Sequence, residues 1–83
     1  MSENKEVTVY IQETCVHCHR QLEWMNQNNI DFEKKDVSRE KNKEEFINLG
    51  GRGTPYTIVT DQNGNQEKIQ GFQREHLENL ILF

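Results

Sequence analysis

Two cysteines stand three apart in the stretch ETCVHCHRQ, at positions 15 and 18, and nothing else in the chain narrows its fold as much. Ahead of the pair runs VTVYI (7–11), β-branched and aromatic and bounded by polar residues, which reads as a buried strand. Behind it runs HRQLEWMNQNN, free of Gly and Pro, where Cys18, Leu22 and Met25 fall at i, i+4 and i+7 on one helical stripe. Cys15 extends that stripe one turn back, to the helix start. The pair therefore belongs on a strand-to-helix corner.

The remaining segments continue the alternation. IDFEKKDV (30–37) alternates apolar and polar residues, as a second strand does. SREKNKEEFINLGG opens on Ser38 as a cap and stops at Gly50, a helix with Phe46 and Leu49 turned inward. PYTIVT (55–60) and QEKIQ (66–70) are strands joined by DQNGN, whose Asn-Gly step marks a hairpin turn. QREHLENLILF (73–83) places Leu77, Leu80 and Ile81 at helical spacing. The predicted order is β-α-β-α-β-β-α. Its first β-α-β unit is parallel with a right-handed crossover, and its last strand pair is antiparallel. This is an α/β chain with a mixed four-stranded sheet flanked by three helices. With 83 residues and no repeat or linker, residues 1–83 are expected to form a single domain with a thin core, since a domain of this size buries only about 60% of its unfolded surface.

Charge and hydropathy remove several functions. The net charge of −4 leaves no basic field for nucleic acid, and the lysine-rich EKKDVSREKNKEE interleaves both signs as a solvated face does. No apolar run approaches the roughly 20 residues that cross a membrane. The start, MSENKEVTVYI, has no apolar secretory core. A cytoplasmic monomer is expected, in a reducing compartment where a static disulfide does not persist. GGRGT (50–54) lacks the lysine and the spacing of a phosphate loop, so it reads as a helix cap and connection. Trp24 falls off the apolar stripe and is expected to cover the helix edge.

CVHCH admits four chemistries: a structural disulfide, half a zinc site, a c-type haem attachment or a redox dithiol. Haem attachment requires an exported chain and a distant axial ligand, and neither Met1 nor Met25 is well placed to be one. Structural zinc requires four ligands. A second ligand pair is missing, His17 and His19 stand too close in sequence to close a tetrahedron, and only His76 remains. All three histidines read as exposed polar side chains. Redox chemistry accounts for the placement. A thiol at a helix N-terminus meets unpaired amide N–H groups and the positive end of the macrodipole, which favour its thiolate. Cys18, one turn inside, is shielded but within reach of Cys15, as the attack and resolution steps of disulfide exchange require.

Over nearly its whole length the chain resembles the glutaredoxin-like members of the thioredoxin fold, and among them the NrdH-redoxins. The likeness rests first on CVHCHRQLEWMNQNNIDFEKKDV, then on GTPYTIV and on Gly71-Phe72. It implies a thiol–disulfide oxidoreductase in which Cys15 attacks and Cys18 resolves, with no cofactor and no metal. It implies a cis bond before Pro55, with Thr54 presenting its backbone to substrate beside Val16 and His17. Gly71 and Phe72 are then substrate-facing, Phe72 either lining the partner groove or lying in the core. The partners implied are disulfide-bearing client proteins, ribonucleotide reductase among them, and thioredoxin reductase as reductant. Two alternatives follow from relatives of the fold: dependence on glutathione or another low-molecular-weight thiol, and an iron–sulfur or metal-carrying adaptor. The chain departs from the NrdH type in reading IQGFQR where Trp-Ser-Gly-Phe-Arg-Pro is usual. It also carries Glu13 where glutathione-using glutaredoxins have a basic residue.

Overall fold

The computed structural model describes residues 5–82. Met1, considered above as a haem ligand, and Phe83, the end of the expected third helix, lie outside the described residues. The elements are β1 (Glu6–Ile11), α1 (Val16–Gln27), β2 (Glu33–Asp36), α2 (Glu40–Asn48), β3 (Tyr56–Thr60), β4 (Gln66–Gln70) and α3 (Arg74–Leu77), which continues as a π-helical turn over Glu78–Leu82. They occur in the order the sequence predicts. The sheet runs β2-β1-β3-β4. β1 pairs with β2 in parallel, and with β3 antiparallel, while β3 and β4 form the antiparallel hairpin.

Alternation along the strands divides the core between the two faces of the sheet. Val7, Val9 and Ile11 of β1 join Val59 and Ile69 beneath α1 and α3, together with Cys18, Met25 and Leu77. Tyr10 points the other way, into a second cluster with Tyr56, Ile58, Val37 and Phe46 of α2. There Phe46 and Tyr56 meet edge to face at 5.6 Å between ring centroids. β3 lies between β1 and β4, and four of its five residues are buried, the polar Thr57 among them.

Two boundaries differ from the sequence reading for local reasons. Ile30 does not begin β2. Its N–H closes on the Met25 carbonyl at 3.0 Å while Asn29, at φ 57°, donates to Asn26 at 3.2 Å. That is a Schellman end to α1, and Ile30 belongs to it as the apolar residue packed back on the helix. Ser38 does not cap α2 either. Its N–H donates to Asp36 Oδ1 at 2.8 Å in an Asx turn, and Arg39 takes the cap position without a side-chain bond.

α2 ends in the same way as α1. Gly50, at φ 89°, donates to Ile47, and Gly51 donates to Phe46 at 2.9 Å. Gly50 supplies the left-handed conformation. Gly51 serves a different need, because a methyl group added there would run into the Phe46 ring. Gly51→Ala must displace that ring from the aromatic cluster. Overpacking of this kind costs about 1–3 kcal/mol. Thermal denaturation of the variant should show a melting temperature lower by several degrees; an unchanged one would mean the ring yields freely.

Candidate functional site

β1 ends at Ile11 and delivers the chain to a short turn, Gln12 to Thr14, before α1 begins. Cys15 occupies the N-cap with extended backbone, φ −89° and ψ 112°. Its Sγ accepts the N–H of Cys18 at 3.1 Å, and its own N–H donates to the Gln12 carbonyl at 3.1 Å. Cys15 is half-buried rather than open, while Cys18 is fully buried within the core beneath α1. Both thiols are free, so this is the reduced dithiol.

The loop before β3 comes up against the first thiol. The Thr54–Pro55 bond is cis, as the resemblance implied. The neutral Cys15 thiol donates to the Thr54 carbonyl at 3.5 Å. Thr54 Oγ1 donates to Gln12 Oε1 at 3.3 Å, joining the two loops. The N–H of Gly71 donates to the Pro55 carbonyl at 2.8 Å. Phe72 beside it is half-buried and tilts against Trp24 at 6.1 Å. Trp24 thus covers the helix edge by holding Phe72. Val16 is 62% exposed, and His17 is exposed beside it. The structure therefore gathers Cys15, Cys18, Thr54, Pro55 and Gly71 into one site, with Val16, His17 and Phe72 around it.

The two thiols are electrostatically unlike. Burial pushes the Cys15 thiol up. The Cys18 thiol and the Thr54 side chain beside it, then the N–H groups of Cys18 and His17, outweigh it and hold Cys15 below the usual thiol range. For Cys18 burial comes first, and the bond to Cys15 adds to it, so its thiol is raised and stays neutral. Such a pair gives up one proton readily and the second only after its surroundings change.

Several contributors had no legible signal. His19, exposed as expected, brings its Nε2 to within 2.6 Å of the Glu13 carbonyl. A carbonyl only accepts, so Nε2 carries the proton. Gln70 clamps the loop before Thr54: its Oε1 accepts the Arg52 N–H at 3.2 Å and its Nε2 donates to the Gly53 carbonyl at 2.7 Å. Gln21, on the buried face of α1, is fully buried. Beside Thr54 opens a cleft of about 440 Å³ lined by Val37, Phe46 and Ile47 and by Lys43 and Arg52, with no acidic side chain on its walls. Among the described residues no three His, Cys, Asp or Glu side chains are grouped to hold a metal ion, and no helix is long and apolar enough to cross a membrane.

Comparison with known proteins gives this geometry relatives. The model of the glutaredoxin family matches residues 7–63. The chain is similar to the solved structure of the glutaredoxin-like protein NrdH-redoxin from Escherichia coli, with 28% identity and a TM-score of 0.73, covering 90% of this chain and 93% of that one. It is similar to the thioredoxin-like protein BC3987, with 27% identity and a TM-score of 0.76, covering 92% of this chain and 100% of that one. It is also similar to methanoredoxin from Methanosarcina acetivorans, with 25% identity and a TM-score of 0.74, covering 94% of this chain and 85% of that one. A search of the curated proteins finds no significant sequence match.

The unequal thiols can be read by alkylation. Because the folded Cys15 is held below its ordinary range, its thiolate persists to lower pH than that of a free cysteine, whose pKa is about 8.5. Its alkylation rate should rise through a midpoint below that value, while Cys18 reacts only at higher pH. In denaturant the Cys15 midpoint should climb back to the ordinary value. Site-resolved mass spectrometry would separate the two sulfurs, and a Cys15 midpoint no lower in the folded protein would contradict the assignment.

Proposed function

The chain belongs to the glutaredoxin family and is a thiol–disulfide oxidoreductase, and from this we propose that its Cys15–Cys18 dithiol reduces disulfides in client proteins, with Cys15 as the nucleophile. One observation carries the reading. The half-buried Cys15 Sγ sits at the helix start, accepting the Cys18 N–H at 3.1 Å, while the thiol of Cys18 is fully buried behind it.

The chemistry balances without a cofactor. The Cys15 thiolate attacks one sulfur of a client disulfide, and the client S–S bond breaks as the mixed disulfide forms. The departing client thiolate takes up a proton from solvent. Cys18 then loses its proton and attacks Cys15 Sγ, expelling the second client thiolate. Two electrons have passed to the client, and the protein is left with a Cys15–Cys18 disulfide. Thr54 offers its backbone to the extended client segment beside Cys15, as an added strand would pair. Val16 and His17 flank that segment from α1, and Gly71 and Phe72 from beyond β4. The protein acts as a cytoplasmic monomer, and ribonucleotide reductase is among its clients, in keeping with the resemblance to NrdH-redoxin.

Reduction of the spent protein falls to an NADPH-dependent thioredoxin reductase. Holding a small dianionic thiol peptide requires charge-assisted partners for its carboxylates. Glu13, exposed at the turn before Cys15, repels them, and Phe72-Gln73 offers an apolar ring in place of polar groups. The cleft beside Thr54 favours a second reading, since Lys43 and Arg52 flank it without an acid and suit the carboxylates of a low-molecular-weight thiol.

Two experiments decide these points. Cys18→Ser should accumulate client proteins as stable mixed disulfides through Cys15, because the resolving sulfur is gone. Equal trapping by Cys15→Ser would reverse the two roles. For recycling, oxidised protein is mixed with NADPH and either thioredoxin reductase or glutathione plus glutathione reductase. NADPH should be consumed faster in the first mixture. Rapid consumption only in the second would establish the low-molecular-weight-thiol reading.

A further inference from the structure

Gln21 is the least expected residue on α1. It stands three residues after Cys18, on the face that carries Cys18 and Met25 into the core, and none of its surface is exposed. Gln21 donates from Nε2 to Thr57 Oγ1 at 2.7 Å, with a longer approach to Met25 Sδ at 3.7 Å. Its Oε1 is buried without a hydrogen-bond partner. Turning the amide over would place the oxygen on Thr57 and strand the nitrogen, so either orientation leaves one polar end unpaired. A buried polar group kept at such a cost needs a compensating role.

Its partner shows what that role is. Thr57 is also fully buried, on the strand at the middle of the sheet, in register with Val9 of β1 and Ile69 of β4. It lies two residues beyond Pro55, just as Gln21 lies one turn beyond the second cysteine. The hydrogen bond thus joins the helix that bears the dithiol to the strand that bears the cis-proline loop. Apolar packing is non-directional, whereas a 2.7 Å bond between two buried side chains has a set distance and direction. The quantity so fixed is the approach of Cys15 to Thr54, whose carbonyl oxygen lies 3.5 Å from the sulfur and whose side chain helps hold the Cys15 thiol below its ordinary range.

We propose that Gln21 is a positioning residue for disulfide exchange: its bond to Thr57 registers α1 against β3 and thereby holds Cys15 against Thr54. The proposal rests on the reading of Cys15 as the attacking thiol.

The test uses Gln21→Met, which keeps the volume and removes the polar atoms, Thr57→Val, which keeps the shape and removes the hydroxyl, and the double variant. Thermal denaturation reports stability, and the pH profile of Cys15 alkylation reports position. The expected result separates the two. The double variant should melt no lower than the wild type, since it removes the unpaired oxygen together with both partners of the bond, whereas either single variant leaves one partner buried and unpaired. All three variants should nevertheless show the Cys15 midpoint moved up toward the ordinary value of about 8.5, with exchange against a small disulfide slowed several-fold near neutral pH. The double variant should shift no further than the larger single shift, because both substitutions break one bond. A wild-type midpoint in the double variant would overturn the proposal. So would failure of both Gln21→Met and the double variant to fold, which would make the pair structural. A wild-type protein inert toward disulfides, yet with its Cys15 midpoint low and dependent on Gln21, would fault the exchange reading instead.

Discussion

The bond from the Cys18 amide to the Cys15 sulfur is the constraint on which the rest of the site depends. With Cys15 at the N-cap, Cys18 is the third residue of the helix. That is the position whose N–H a capping side chain ordinarily satisfies. A spacing of three therefore does two things at once. It lets the first sulfur take the place of a serine or aspartate oxygen as the cap, and it sets the second sulfur one turn inside. No acidic residue lies in the first turn to compete with the thiolate for the helix terminus.

Burial then divides the roles. Both sulfurs belong to one turn of one helix, and the same burial opposes ionisation in each. Cys15 escapes because the donors aimed at it outweigh that cost, while Cys18 has no comparable set and lies against the sheet. The asymmetry comes from place along α1: Cys15 caps it, half-buried, while Cys18, its third residue, lies in the core. A dithiol with two equal sulfurs would have no order of attack.

Much of this was legible because it is local. VTVYI, the stripe of Cys18, Leu22 and Met25, and the Asn-Gly turn carry their periods and turn chemistry in adjacent residues. The boundaries of β2 and α2 were not legible. Ile30 looks like a strand residue in composition, and only the left-handed Asn29 makes it a helix end. Ser38 is a good cap by type, but Asp36 reaches its amide first. Gln21 was hidden for a different reason. Its burial is set by Thr57, 36 positions away, and no period in either segment announces the pairing.

The loop around Thr54 shows how the chain meets the need of its fold with residues of its own. The Thr54 carbonyl lies 3.5 Å from the Cys15 sulfur, yet the loop's approach, from Gly50 to Gly53, holds three glycines in four residues. Such a segment is conformationally free unless tied. The ties come from outside it: Gln12 to the Thr54 hydroxyl, Gly71 to Pro55, and the side chain of Gln70 to both Arg52 and Gly53. Gln70 and Gly71 fall within IQGFQR, the stretch where this chain departs from the NrdH type. The departure is therefore not a loss of the site's support. A single amide side chain at Gln70, donating and accepting at once, braces the loop from the edge strand, and Gly71 meets Pro55 through backbone alone.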